Sequence, residues 1–129
     1  MPYKTIWLDK QEIRASAVLT DAYVATTKQE IVDVNQLVLY VDFTIGSLTS
    51  AEMKIEFSND DSSWFQEASQ VSGGSGLFTL NPLVRKFDAT GKKRIAIPVT
   101  DRYVRVSVKG TGTVTDSLMA IELQLGSSA

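Results

Sequence analysis

Hydrophobic and polar residues alternate along most of this chain, which is the pattern of a β-strand with one buried and one exposed face. The clearest case is the range 36–45, in which every second residue is large and apolar. The same alternation recurs in 52–58, 95–99, 104–109 and 119–125. Helical periodicity is almost absent, so these segments predict half-buried strands, each with one wet face.

Turn-forming residues separate these runs at the spacing of antiparallel strands. Asn59–Ser62 reads as a hairpin turn, and the glycine-rich range 70–76 is predicted to be the most flexible loop. Weaker strands in the ranges 14–20, 23–27, 63–68 and 77–87 bring the expected number to about eight or nine. The fold class is therefore predicted to be all-β, an antiparallel two-sheet β-sandwich of the jelly-roll kind.

The best strands also predict the core and one sheet edge. Pro98 cannot donate to a strand ladder, so its strand is expected to be an edge or to end there. The apolar faces of the alternating runs are expected to be buried. They comprise Leu39, Phe43, Ile55, Phe57, Val104, Val106, Val108, Ile121 and Leu123.

The length of 129 residues and the mass of 14.1 kDa fit one compact domain. Residues 12–126 are assigned to this sandwich domain, and residues 127–129 to a flexible carboxyl terminus. Residues 1–11 precede the first clear strand, and they are expected to form either a first strand that closes one sheet or an arm that packs on a neighbouring subunit.

Composition narrows the chemistry of the protein. The chain has no cysteine and no histidine, which removes thiolate chemistry, the usual transition-metal ligands and the commonest general base. We therefore expect no catalytic residues, no cofactor and no metal site. Asn59, Asp60 and Asp61 could offer oxygen ligands to Ca²⁺, but their spacing favours a solvated turn.

Charge and hydropathy indicate which partners and which cellular location to expect. The net charge of −2 and the pI near 5.1 give no basic field, so nucleic acid is not an expected partner. The start of the sequence lacks the apolar stretch of a signal peptide, and no window has the ~18 consecutive apolar residues that span a bilayer. We expect synthesis in a cytoplasm and no membrane contact.

Aromatic residues give the first candidate contact sites. Trp64 and Phe65 are adjacent in a predicted strand, so one ring can enter the core while the other meets the surface. A surface ring beside the polar turn could contact a sugar or a protein, whereas a core position for Trp64 is the plainer interpretation. Tyr3, Ile6, Trp7 and Leu8 form an apolar cluster outside the regular strand pattern, which would suit contact with a partner.

Basic residues give the other candidate site. Arg85, Lys86, Lys92, Lys93 and Arg94 lie close together in the sequence, across what is predicted to be one hairpin. The cluster could complement an acidic partner surface, and the alternative is a solvated hairpin tip.

Part of the chain resembles discoidin-type, galactose-binding-like domains. The segment MKIEFSNDDSSWFQEAS, 53–69, is similar to their strand–turn–Trp hairpin, and DRYVRVSVKGTGTVTDSLMAIELQLG, 101–126, is similar to their closing strands. The resemblance covers Met53 to Gly126 and implies a jelly-roll fold, with glycans as a possible class of partner. The chain lacks the cysteines common in that family and any ligand-loop signature.

The whole chain also resembles the small β-sandwich proteins of tailed-phage structural modules. The matching residues are Ile55 to Trp64, Arg102 to Val106 and Leu123 to Gly126. This resemblance implies a non-enzymatic virion protein, first of all a capsid decoration or cement protein, with a head–tail or tail component as the alternative. The implied partners are the major capsid protein or other virion proteins and further copies of the chain, a trimer being the favoured homo-oligomer. A carbohydrate-binding module is the rival interpretation.

Overall fold

The structure is a computed structural model that describes residues 5–128. Its regular elements are all strands, as the alternating pattern predicts. In chain order they are β1 (Thr5–Trp7), β2 (Gln11–Ala17), β3 (Val24–Ala25), β4 (Gln29–Glu30), β5 (Gln36–Thr44), β6 (Leu48–Ser58), β7 (Phe65–Gln66), β8 (Ala68–Gly74), β9 (Leu77–Pro82), β10 (Arg85–Phe87), β11 (Gly91–Pro98), β12 (Tyr103–Gly112) and β13 (Leu118–Ser128).

The long strands form two antiparallel sheets. The first sheet runs in the order β11, β5, β13, with β1 and β2 each pairing with β13 on its other side. The second has β6 and β12 at its centre, flanked by β10 and β7 on one side and by β3 and β4 on the other. The predicted antiparallel sandwich is confirmed.

The core lies between the inner faces of the two sheets. Leu39, Val41 and Phe43 of β5 are buried, as are Val104 and Val106 of β12. The Phe43 and Phe87 rings, which come from different sheets, lie 5.8 Å apart between centroids. The predicted core residues are buried except Phe57, which is half-buried against the same cluster. The alternation of apolar and polar residues thus predicted which face of each long strand is buried.

The Asn59–Ser62 turn is built around one carboxylate. Asp60 Oδ1 accepts hydrogen bonds from the amides of Ser63 and Ser62, at 2.8 and 2.9 Å, and from the Ser58 hydroxyl at 3.0 Å. These three bonds hold the pKa of Asp60 below its ordinary value. The side chain therefore acts as an Asx-type turn former, the plainer of its two interpretations.

Two predicted segments are wrong. The range 70–76, expected to be a flexible loop, lies mostly in β8, which pairs with β9. Ser75 and Gly76 both have positive φ, the geometry of a tight two-residue hairpin loop, so the glycines shape a turn between strands. The single strand expected over 77–87 is interrupted at Leu83–Val84, because β9 belongs to this hairpin and β10 to the second sheet.

The described part of the amino-terminal segment pairs with the carboxyl-terminal strand. Thr5, Ile6 and Trp7 are in register with Ser128, Ser127 and Gly126. The boundary predicted at residue 126 is therefore too early, since β1 supplies partners for Ser127 and Ser128. Tyr3, which belongs to the predicted contact cluster, lies outside the described residues.

Candidate functional site

Strands β8 and β9 form a hairpin that stands apart from both sheets, and we call residues 68–82 the arm. Their pairing partners are each other, from Ala68 with Pro82 to Gly74 with Leu77. The Leu83 amide donates to the Glu67 carbonyl at 2.8 Å across the base of the arm. Two hydrogen bonds join this base to the second sheet, from the Glu67 amide to the Ile55 carbonyl at 3.0 Å and from Gln66 Nε2 to the Leu83 carbonyl at 3.1 Å. An Arg85–Glu67 ion pair closes the same base.

The arm is uncharged and apolar on both faces. Residues 68–84 include no Asp, Glu, Lys or Arg. Pairing of Ser72 with Phe78 and of Gln70 with Leu80 places the two large side chains on one face, while Val71 shares the other face with Thr79. Val71, Leu77, Phe78 and Leu80 are 50–70% exposed. Such a concentration of exposed apolar surface makes the arm a candidate contact site.

Trp64 and Phe65 lie near the arm's base and differ in exposure. Phe65 is 68% exposed, and Trp64 is half-buried. The Arg105 guanidinium lies 4.2 Å from the Trp64 ring centroid and also contacts Glu56, with Nε 3.2 Å from Oε1. The core position considered for Trp64 is therefore wrong, because its ring packs under Arg105 outside the buried cluster. Phe65 is the ring that stays free for a contact.

Two cations on the outer face of the second sheet are paired with carboxylates. Arg105 is paired with Glu56, and Lys109 Nζ lies 3.5 Å from Glu52 Oε2. Lys54 Nζ lies 4.5 Å from the Tyr23 ring centroid. Burial raises the pKa of Tyr23, as does the hydrogen bond that its hydroxyl donates to Glu52 at 3.1 Å. The two ion pairs on this face attract a charged partner only weakly.

The predicted basic cluster is divided between the two sheets. Arg85 and Lys86 lie on β10, where Arg85 is held by Glu67, whereas Lys92, Lys93 and Arg94 lie on β11. The hairpin predicted to carry all five is therefore wrong. The connection through Asp88–Thr90 crosses from one sheet to the other, so it does not join neighbouring strands.

A shallow depression of about 380 Å³ lies beside β11 on the outer face of the first sheet. Tyr40 of β5 is in register with Arg94 on one side and Glu122 of β13 on the other. Lys92 is in register with Asp42 in the next row, and Lys10 Nζ lies 4.0 Å from the Tyr40 ring centroid. The Tyr40 hydroxyl and Gln124 Oε1 are 3.3 Å apart. The depression thus combines cations, carboxylates and one aromatic ring.

The apolar amino-terminal cluster is only partly covered. Ile6 and Leu8 are exposed, and Trp7 is 40% exposed beside a second depression of about 320 Å³. Val38, Ala96 and Pro98 line the same depression. Of the apolar cluster predicted for partner contact, Ile6, Trp7 and Leu8 are accordingly accessible.

The sequence analysis missed the arm and the residues around Tyr40. The range 68–84 has no charged residues and has alternating large side chains, and this combination indicates an exposed hairpin. The glycines in the same range had favoured a loop. Lys10, Tyr40 and Glu122 come from three separated segments, and only the sheet order brings them together.

Among residues 5–128, no group of three or more Asp or Glu side chains is placed to hold a metal ion. That part of the chain also has no helix long and apolar enough to cross a bilayer.

Comparisons with known proteins show similarity in fold. No protein-family model matches the chain, and no curated protein matches it significantly. The structure of the PBSX exported protein XepA has a TM-score of 0.63 at 10% identity, over 94% of this chain and 37% of that one. The SPBc2 prophage-derived protein YomS has a TM-score of 0.51 at 14% identity, over 98% of this chain and 96% of that one.

A third structure, that of infectious bursal disease virus Gx strain, has a TM-score of 0.44 at 9% identity, over 97% of this chain and 32% of that one. The chain spans little more than a third of XepA and nearly the whole of YomS. At these identities the likeness establishes the sandwich fold, which this chain shares with the exported protein XepA and the prophage-derived protein YomS.

Proposed function

We propose that the protein is a non-enzymatic structural component of a phage virion, most specifically a capsid decoration or cement protein. It would stabilise the shell through contacts with the major capsid protein and with further copies of itself. The observation that carries the proposal is the arm, an uncharged hairpin with large apolar side chains exposed on both faces.

Physical chemistry supports a partner for the arm. A two-stranded hairpin standing alone is marginally stable in water, because it has no third layer against which to bury its side chains. Phe78 and Leu80 would each gain about 1.5–3 kcal/mol from full burial. Covering them on assembly would stabilise both the hairpin and the assembled state, which is how a decoration protein strengthens a shell by mass action.

The fold likeness is in keeping with this proposal. XepA and YomS are both proteins of prophages, and the first carries a sandwich of this kind in about a third of its length. The capsid is the proposed location, and a head–tail or tail position is the alternative within the virion. Closed cyclic symmetry is usual for homo-oligomers, and a trimer is the proposed form.

The test uses phage particles that lack this protein. Adding the purified chain should raise the temperature at which such particles release their DNA, measured with a DNA-binding dye. The double variant Phe78→Ser and Leu80→Ser should bind at least about tenfold more weakly, because it removes the apolar contact. Val32→Ser, which removes an exposed apolar side chain away from the arm, is the matched control.

Two outcomes would contradict the proposal. One is that the particles neither bind nor are stabilised by the wild-type chain. The other is saturable binding to a glycan array that Phe65→Ala abolishes, which would favour the carbohydrate-binding alternative because Phe65 is the exposed ring beside the polar turn.

A further inference from the structure

Strand β11 is the longest regular edge of the sandwich among the described residues. It pairs with β5 over all eight residues without a shift in register, and no strand within residues 5–128 pairs with its other side. The opposite edge of that sheet carries β2, whose pairing with β13 is broken by two register shifts. The edges of the second sheet are strands of two or three residues. Bulges and short strands discourage pairing with other chains, and β11 has neither protection.

Three consecutive cations mark this edge. Lys92 and Arg94 are in register with Asp42 and Tyr40, so they project on the outer face of the sheet, while Lys93 projects on the other side. All three are exposed. Cations on an edge strand repel neutral and basic strands, because pairing would bury their charge, but they attract an acidic one.

The charge around β11 is not neutralised internally. Lys10, Lys92, Lys93 and Arg94 line the depression together with two carboxylates, Asp42 and Glu122. None of the four cations makes an ion pair within 4.0 Å in the described part of the chain. On the central strands of the second sheet, two of the three cations, Arg105 and Lys109, are paired with Glu56 and Glu52, and the third, Lys54, lies over the Tyr23 ring. Excess positive charge is thus concentrated at the one long regular edge.

We infer that β11 binds an extended acidic segment of another protein by strand addition. The backbone of β11 would supply the ladder hydrogen bonds, and carboxylates at alternate positions of the added strand would face Lys92 and Arg94. Lys10 and the Tyr40 hydroxyl would contact the same carboxylate-bearing face. This inference is independent of the arm and goes beyond the proposed virion role.

A second copy of the chain does not supply such a segment from its described residues. The arm is uncharged, and none of the other strands at a sheet edge carries two carboxylates. The occupant is therefore a different protein whose binding segment has acidic residues at every second position.

The first experiment measures binding of a fluorescent peptide by anisotropy. The peptide has eight residues, the length of β11, with Glu alternating with Thr or Val. We expect saturable binding that weakens as salt is raised from about 0.05 to about 0.5 M, because salt screens exposed charges. A peptide with Gln in place of Glu should bind at least about tenfold more weakly.

Variants locate the site. Arg94→Glu should weaken peptide binding about tenfold or more, whereas Lys86→Glu, the same kind of charge reversal at an exposed position on β10, should leave it unchanged. Equal effects of the two variants would overturn the inference, since they would reflect net charge alone. The arm variant Phe78→Ser and Leu80→Ser should bind the peptide normally, so failure of this inference and failure of the proposed function are distinguishable.

Methylated peptides separate strand addition from simple charge attraction. N-methylation of alternate backbone amides removes ladder donors on one side of the peptide while keeping every carboxylate. One of the two methylation patterns should abolish binding and the other should be tolerated. Equal binding of both methylated peptides and the parent would overturn strand addition, as would self-association of the chain in place of peptide binding.

Discussion

Trp7 and Gly126 lie in van der Waals contact across the β1–β13 pair, and only glycine fits opposite this ring. The two residues are in register. A Cβ on Gly126 would stand 2.5 Å from Cε3 of the indole and 2.6 Å from Cζ3. The indole therefore packs onto the backbone of β13, and this contact anchors the described part of the amino-terminal segment to the sandwich.

The first prediction follows from that contact. Gly126→Ala should lower the free energy of unfolding by about 1–3 kcal/mol, because the added methyl group must displace Trp7 and its strand. Urea unfolding followed by circular dichroism measures the change. Gly73→Ala is the matched control, since a Cβ there would meet its nearest neighbour, the Leu77 carbonyl, at an ordinary 3.6 Å.

A double-mutant cycle makes this prediction sharper. In a Trp7→Ala background the clash is gone, so Gly126→Ala should cost much less than in the wild type. If the cost is the same in both backgrounds, the indole is not the cause.

The second prediction concerns the core. Phe43 is fully buried and packs against Phe87, so Phe43→Ala should lower the free energy of unfolding by about 3–5 kcal/mol. Phe65→Ala removes the same side-chain atoms at a position 68% exposed, and it should change stability by about 0.5 kcal/mol or less. Similar losses from the two substitutions, measured by urea unfolding, would show that the burial assigned to β5 is wrong.

The third prediction concerns acid. Asp116 accepts hydrogen bonds from the Ser47 amide at 2.7 Å and the Ser47 hydroxyl at 3.0 Å, which lower its pKa in the folded protein. A carboxyl whose pKa is lowered by folding stabilises the protein above its unfolded pKa of about 3.9, and this contribution is lost as pH falls through the folded value. The melting temperature should therefore fall in acid.

The variant Asp116→Asn isolates this contribution. It should melt below the wild type at about pH 7, and the gap should narrow as pH falls below the unfolded pKa of about 3.9 and through the lower pKa of the folded protein. Asp88→Asn removes a carboxylate from the exposed loop between β10 and β11 and serves as the control. A gap of constant size across the pH range would mean that the charge of Asp116 contributes nothing.

The alternating pattern predicted the sandwich because a strand that is buried on one face has an apolar residue at every second position. Leu39, Phe43, Val104 and Val106 face the core as expected, and Pro98 ends an edge strand. The arm was predicted as a loop, since both of its faces are exposed and glycines occupy its turn. Hydrophobic patterning identifies strands that bury one face. A hairpin with both faces exposed does not meet that criterion.

The sites were harder to predict because they depend on sheet order. Lys92 and Arg94 are close to Arg85 in the sequence but lie in the other sheet. Tyr40, by contrast, is far from Arg94 in the sequence and is its direct cross-strand neighbour. No local signal reports that β11 pairs with β5, since strand order is set by long-range packing.

The fourth prediction is that the amino-terminal segment contributes more to assembly than to the fold of the monomer. Strand β1 pairs with residues 126–128, and Leu8 exchanges hydrogen bonds with Leu125 and Gln124, while β2 pairs separately with residues 119–123 of β13. Removing residues 1–8 would therefore uncover one end of β13 and leave β2 and the core in place. Ile6 and Leu8 are already 68% and 50% exposed, so little buried area is lost with them.

The truncated chain should thus keep its β-sheet circular dichroism and melt cooperatively, with a loss of stability similar to that caused by Gly126→Ala. Its self-association, measured by sedimentation velocity over a range of concentrations, should weaken, because exposed Ile6, Trp7 and Leu8 are suited to bury area against a second chain. Trp7→Ala in the full chain should weaken it in the same direction. Aggregation or loss of cooperative melting on truncation would show instead that β1 is an integral strand of the sheet.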